Sequence, residues 1–265
     1  MPFGLILVGD EILSGKRTDK HLPKVIELLG ARGLALAWAR VVGDDRERIT
    51  AALRDAFAGS DIVFCCGGIG ATPDDHTRQA AAAALGRPLV LHPEARALIE
   101  QRMKDIAAER GEPYDPAAAD NVHRLNMGVF PAGAEIVPNP YNRIPGFSVG
   151  DVHFLPGFPV MAWPMIEWLL DTRYAALRAA GRRLAERSVI VYGSMEATLT
   201  PLMEAIEAAH PGVRVFSLPS VDHPEWGRHI ELGVKGEPAR LAAAYGQLVD
   251  GLRGHGARLG PELVR

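Results

Sequence analysis

The chain has 265 residues, 48% of them apolar, enough for a proper core and for one large domain followed by a smaller one. Its 29 basic and 32 acidic residues leave a formal charge of −3, and the basic residues are scattered apart from Arg182, Arg183 and Arg187, a solvated helix end, so nucleic-acid binding is not expected. The two cysteines, Cys65 and Cys66, are adjacent and point to opposite faces of a strand, which excludes a disulfide framework and fits a reducing cytoplasm; the opening residues lack a basic n-region and no apolar run spans a bilayer, so neither export nor membrane anchoring is expected.

Phe3 to Val8 is a nearly continuous apolar run closed by Gly9-Asp10, the pattern of a parallel strand covered on both faces. After a loop from Gly9 to Gly15, Leu22, Val25, Ile26 and Leu29 recur at helical spacing, with Thr18 or Asp19 as the cap and Gly33 just past the end. Leu34 to Val42 reads as a second strand. Asp44-Asp-Arg-Glu47 then has the form of a capping box for a helix whose apolar face is Ile49, Leu53 and Phe57. Ile62 to Cys65 is a short β-branched run and hence a third strand, and Gly67, Gly68 and Gly70 remove every Cβ just past its end.

A helix starting near Thr77, capped by Asp74 or Asp75, continues through Leu85, and a long helix covers Pro93 to Arg110. Gly111 to Asp120 reads as a loop. From Asn121 the pattern is one of short strands and turns: Glu135 to Pro138, then a hairpin of Phe147–Val149 and Asp151–Leu155 stopped by Pro156-Gly-Phe-Pro159. A helix carrying Met161, Trp163, Met165, Ile166 and Leu169 follows, and the alanine- and arginine-rich stretch to Arg183 extends or links it. Beyond Leu184 come a strand (187–192), a helix (201–209), two strands (213–218 and 228–234) and a helix (238–252), with a three-stranded sheet and a frayed tail from Gly254.

Strand, helix, strand, helix, strand at this rhythm implies right-handed crossovers and a parallel, doubly wound sheet. The loops leaving the carboxyl ends of such strands share one rim, so Gly9–Gly15, Val42–Asp45 and Gly67–Asp75 should meet. Backbone N–H groups of a glycine loop can approach a phosphate. Acids beside it call for a divalent ion to offset the repulsion, with Asp10, Glu11 and Asp74 as its ligands. Helix capping competes for the same aspartates; one of each pair is expected to cap and the other to face the cleft.

Other chemistries fail on spacing. Five residues rather than four separate Gly9 from Gly15, and Arg17 stands where a P-loop has its hydroxyl. Gly68-x-Gly70 lacks the third glycine of a dinucleotide fingerprint and follows the third strand instead of the first. The histidines show no metal-ligand spacing, His76 reads as solvent-facing, and no Gly-x-Ser-x-Gly elbow is present. Asn139-Pro-Tyr-Asn142 and Pro156-Gly-Phe-Pro159 are turns that could also wall the cleft, and Cys65 and Cys66 read as packed side chains.

The motifs Gly9-Asp-Glu-Ile-Leu-Ser-Gly15, Val41-Val-Gly-Asp-Asp-Arg46, Gly67-Gly-Ile-Gly-Ala-Thr-Pro-Asp-Asp-His-Thr77, Pro138-Asn-Pro140, Pro145-Gly-Phe147 and Leu155-Pro-Gly-Phe-Pro159 resemble, in order, the MoaB/Mog-type molybdopterin-binding domain, in particular its CinA-like branch. The resemblance covers residues 3–172, and 187–252 looks like the second domain of CinA-type proteins. It implies a three-layer α/β/α domain with a mainly parallel sheet over residues 1–184 and a small α+β domain over 185–265. It further implies Asp44 and Asp75 as catalytic acids, with Gly9, Ser14, Gly67, Gly68, Gly70, Thr72, Pro156 and Gly157 around a phosphate-bearing ligand. Cys65-Cys66 replaces a usual Thr or Ser, Ala71 a frequent proline, and Val160-Met161 the usual Ser-Glu. The amidase domain that often completes CinA proteins is expected to be absent, and with it nicotinamide mononucleotide deamidation. The implied function is a nucleotide pyrophosphatase for ADP-ribose or a related dinucleotide, dependent on Mg, Mn or Co with K. The alternative is a non-catalytic module for molybdopterin or its adenylylated form. Relatives assemble as dimers or trimers, so a homo-oligomer is implied, with no nucleic-acid or membrane partner.

Overall fold

Strand β1 (Phe3–Val8) is buried along its whole length, as its unbroken apolar run requires. In the computed structural model the chain is described over residues 1–180 and 185–265 and divides into two compact units, residues 1–180 and 181–265. The boundary expected at 184 and the arginines Arg182 and Arg183 lie outside the described residues.

The loop expected after β1 is instead partly a short helical turn, α1 (Asp10–Leu13). Helix α2 (His21–Gly30) is started by Asp19, whose carboxylate accepts from the His21 and Leu22 N–H groups at 2.8 and 2.9 Å. Strand β2 (Leu36–Val42) and helix α3 (Arg46–Ala58) lead into β3 (Ile62–Cys66). Then come α4 (Thr77–Leu85), β4 (Leu89–Leu91), α5 (Pro93–Glu109), α6 (Ala119–Arg124), a 3-10 turn (Leu125–Gly128) and β5 (Val129–Pro131). Strands β6 (Glu135–Val137), β7 (Gly146–Val149) and β8 (Val152–Leu155), with α7 (Pro159–Thr172) and α8 (Ala175–Ala180), complete the unit. Asn121 thus lies in a helix, not among strands; α6 is too short and polar to show a period. The ladder between β4 and β5 was equally invisible, because three-residue strands carry no alternation.

The main sheet runs β2-β1-β3-β8-β7-β6, parallel as far as β8 and antiparallel beyond it. Alternate residues feed two cores. Ile6, Val8, Val63 and Cys65 pack against α3, α4 and α5, while Leu5, Leu7, Phe64 and Cys66 pack against α2 and α7. The three-layer α/β/α arrangement follows from a sheet apolar on both faces. The antiparallel edge is stacked through Phe130, Phe147 and Phe154, whose successive ring centroids are 4.6 and 4.3 Å apart.

The second unit consists of β9 (Ala185–Tyr192), α9 (Glu196–Ala209), β10 (Arg214–His223), β11 (Gly227–Gly236), α10 (Pro238–Gly254) and β12 (Arg258–Val264). Its antiparallel sheet, β10-β11-β9-β12, has four strands, not three. The tail expected to fray supplies the fourth. Gly260-Pro261 reads as a breaker, yet an edge strand accommodates it where the register shifts between Leu259 and Glu262. Helix α9 begins at Glu196 and carries Pro201 inside it, so the proline does not mark its start. No helix among the described residues is long and apolar enough to cross a membrane.

One buried polar chain sits within the first unit. The Ser148 hydroxyl meets His153 Nδ1 at 2.6 Å, His153 Nε2 meets the Tyr174 hydroxyl at 2.6 Å, and that hydroxyl donates to Asp151 at 2.7 Å. Because Tyr174 spends its proton on Asp151, His153 must donate from Nε2 and accept at Nδ1, which fixes the neutral ring. Burial, reinforced by nearby Arg173, pushes its pKa from 6.5 down to about 3. The folded ring therefore binds fewer protons than the unfolded one between those values. Its share of stability is complete above pH 6.5 and is lost as pH falls towards 3, at roughly 1.4 kcal/mol per pH unit. His153→Gln should flatten the acid side of the stability curve by about one proton, measured by urea unfolding over that window. Parallel curves for both proteins would show that the folded ring is protonated.

Candidate functional site

The carboxyl ends of β1, β2 and β3 converge as the topology requires. The Gly9 N–H donates to Val42 O at 3.0 Å, tying the first loop to the second. Asp10 and Asp44 then clamp each other: the Asp10 N–H donates to Asp44 Oδ2 at 2.8 Å and the Asp44 N–H to Asp10 Oδ1 at 3.2 Å. Helix α3 is capped by Asp45, which accepts from the Arg48 N–H at 2.8 Å, so the expected capping box is displaced by one residue. Asp44 is thereby left facing the cleft.

The third loop is shaped by close backbone approach. Gly67 has φ 109° and Gly68 φ 68°, and a Cβ on Gly67 would stand 2.2 Å from Val8 O. Helix α4 starts without either expected cap. The buried Thr77 hydroxyl reaches back to Gly67 O at 2.9 Å and its N–H to Gly68 O at 3.0 Å. Asp75 instead closes its own loop, accepting from the Thr72 N–H at 2.8 Å and the Thr72 hydroxyl at 2.5 Å. Asp74 remains exposed. His76 is half-buried at the start of α4 and has no capping bond.

Between these loops and the Asn139–Pro145 and Pro156–Phe158 turns lies a cavity of about 390 Å³. It brings together Gly9, Glu11, Asp44, Gly67, Gly68, Gly70, Thr72, Asp74, Asp75, Pro156 and Gly157 of the anticipated set. Ser14 and Asp10 are not in it. They sit with Lys16 on a separate shallow hollow that shares Glu11, Asp44 and Asp74, because α1 turns Ser14 outward. Its apolar lining comes from Ile69 of the third loop and from Ile144, Phe158 and Met161. Asn139 shapes it from behind, donating to Asn142 Oδ1 at 2.8 Å and Ile144 O at 2.9 Å.

Arg17 also lines the cavity and carries no ion pair among the described residues. Two further residues escaped the sequence reading. His21 Nε2 meets Gly157 O at 3.0 Å, pinning the Pro156–Phe158 turn to α2. Arg78, buried beneath the third loop, donates through Nη2 to Gly70 O, and burial lowers its pKa. A signal for Arg78 existed: a charge on the buried Thr77–Ala80–Ala81 face of an alanine-rich helix. Cys65 and Cys66 are packed strand residues, and burial raises Cys65 to about 12.

Burial raises the Asp44 carboxyl, the charges of Asp10, Glu11 and Asp74 raise it further, and the backbone bond with Asp10 opposes them. A cation would relieve this crowding, and an all-oxygen donor set suits a hard divalent ion. Among the described residues no three His, Cys, Asp or Glu side chains already form a metal cluster. Glu11 and Asp74 line the same cavity, and they would hold a cation only together with further oxygens supplied by a bound ligand.

Residues 4–179 match the family described as a probable molybdopterin binding domain. A CinA-like protein of Desulfosudis oleivorans is 32% identical over 79% of this chain and 50% of its own length. A protein of Caldivirga maquilingensis is 30% identical over 79% of this chain and 77% of its own. The solved structure of CinA from Thermoplasma acidophilum superposes with a TM-score of 0.54 at 28% identity, covering 64% of this chain and 98% of that one. The chain spans about half the length of the CinA-like relatives it matches.

Gly67→Ala should cost on the order of 2–3 kcal/mol, since positive φ and the Val8 carbonyl both reject a side chain. An unchanged urea midpoint would mean that the turn relaxes freely. Asp44→Asn should raise the urea midpoint at neutral pH, a modest gain because solvent screens the site. The crowded carboxylate costs stability where it is ionised, so the gain should vanish below about pH 4. Destabilisation at neutral pH would show instead that the Asp44 carboxylate holds the loops together.

Proposed function

The chain belongs to the family of probable molybdopterin-binding domains, in its CinA-like branch, and from that premise we propose that its first unit hydrolyses the pyrophosphate bond of ADP-ribose or a related dinucleotide with a divalent ion. The observation that carries this reading is Asp44. Freed from capping by Asp45, it lines the cavity, and burial with the charges of Asp10, Glu11 and Asp74 raises its pKa, the direction that favours a general base. A bound cation would supply charge neutralisation across the two phosphates. Glu11 and Asp74, with the ligand's own oxygens, would hold it and leave Asp44 free as the base, the Gly67–Gly70 backbone would face the phosphoryl oxygens, and Arg17 would approach the outer phosphate. Water adds to one phosphorus as the bridging P–O bond breaks, its proton passing to Asp44, and two monophosphates leave. Asp75 acts through Thr72 and so positions the loop.

The apolar lining of Ile69, Ile144, Phe158 and Met161 supports a second reading, in which a flat pterin lies there and its phosphate occupies the glycine loop without reaction. The two separate in one assay. ADP-ribose, FAD, NAD and dinucleoside polyphosphates, each with Mg²⁺, Mn²⁺ or Co²⁺ plus K⁺, should yield AMP from at least one substrate. Asp44→Asn should lower kcat/KM roughly 100-fold or more, and Asp75→Asn less, since an amide still accepts from Thr72. AMP release untouched by Asp44→Asn removes that residue from the chemistry. Absence of AMP in every mixture, with molybdopterin bound, favours the second reading.

A further inference from the structure

The second unit has a cavity of its own, about 570 Å³, at the carboxyl end of β9 where the chain turns into α9. Its charge is anomalous for this unit. Arg187, Arg240, Arg253 and Arg265 each pair with a carboxylate, on Glu262, Glu237, Asp250 and Glu231 respectively. Among the described residues only Arg214, Arg228 and Arg258 do not, and two of those three line this one cavity. Unpaired guanidinium groups gathered in a concavity are a poor use of charge unless an anion joins them.

The surrounding polar groups are held in place by the sheet. Ser220 pairs with His229 across β10 and β11, and Tyr192 with Arg258 across β9 and β12. The Arg258 guanidinium lies 4.5 Å from the Tyr192 ring centroid, a stacking that fixes its plane and leaves its edge free to donate. His229, only 6% exposed, spends Nδ1–H on Gly227 O at 2.8 Å, and Nε2, an acceptor in the neutral ring, has no partner among the described residues and can take the P–OH of a singly protonated phosphate. Ser194 adds a hydroxyl just before the first turn of α9. The one acid present, Glu196, is turned to the Ser217 hydroxyl at 2.6 Å.

We propose that this cavity, lined by Arg228, Arg258, His229, Ser194 and Ser220, is a binding site for a small phosphomonoester, distinct from the site of the first unit. A planar fork and a point donor suit a terminal phosphate with three equivalent oxygens. The concavity and its pair of arginines suit a small molecule better than a polynucleotide, which needs a stripe of contacts along its backbone.

The test is amide and arginine Nε NMR of the full chain titrated with inorganic phosphate and with AMP. Phosphate should shift Gly193, Ser194, Ser220 and Ile230, and Arg228→Gln with Arg258→Gln should weaken that response roughly tenfold or more while AMP release by the first unit is unchanged. Arg258→Lys, which keeps charge but not the fork, should bind at intermediate strength, and Arg228→Gln alone removes an unpaired exposed side chain without threat to folding. Shifts confined to the first unit, or shifts in the second that survive the double substitution, overturn the proposal. So does tighter binding of a single-stranded oligonucleotide than of phosphate through the same residues, because that outcome assigns the surface to nucleic acid. The phosphate-induced shifts read the second unit whether or not the first proves catalytic.

Discussion

The contact of Gly67 with the Val8 carbonyl is the constraint on which the site depends. With 2.2 Å between that oxygen and a would-be Cβ, the turn after β3 can only be made by a residue without a side chain. That approach folds the third loop against the end of β1. Thr77 secures the same turn from the other side, through Gly67 O and Gly68 O, and so sets where α4 begins. A helix held by a loop, instead of a loop capped by its helix, leaves Asp74 and Asp75 free for other bonds.

The carboxylates show how one sequence divides like groups among unlike tasks. Asp45 and Asp19 satisfy helix N-termini, Asp75 holds Thr72, and Asp10 and Asp44 trade backbone bonds between loops. Only Asp44 among them is left with burial and three acidic neighbours raising its pKa. A fold optimised for stability alone would place an amide or hydroxyl there. An ionised carboxylate at this place costs stability, which is why Asp44 stands out as the candidate for a role toward a ligand.

Much of the first unit was legible because its strands announce themselves. An unbroken apolar run such as Phe3–Val8 admits one reading, and the three loops follow from the topology once the strands are placed. Which aspartate of a pair caps was not legible, because a one-residue shift in the start of α3 exchanges Asp44 with Asp45, and spacing cannot resolve it. Ser14 was misplaced for a related reason: α1 is a four-residue turn with no periodicity of its own. His21 and Arg78 act through distant backbone carbonyls, at Gly157 and Gly70, and such partners exist only in the fold. In the second unit the edge strand β12 was hidden by Gly260-Pro261, residues that an edge tolerates and a central strand does not.

The charges of the first cavity impose a condition on whatever it binds. Glu11, Asp44, Asp74 and Asp75 line it against the single guanidinium of Arg17 among the described residues. A phosphate-bearing ligand entering alone meets a surplus of negative charge, and the glycine N–H groups supply partial charges only. A cation entering alone gains the carboxylates but lacks the remaining oxygens of its shell. Under the proposed function each would complete the site for the other, and linkage would then make the two affinities rise together by the same factor. On that proposal ligand recognition in this unit would be a property of the pair, with the apolar side chains meeting the ring and the acid rim meeting the ion.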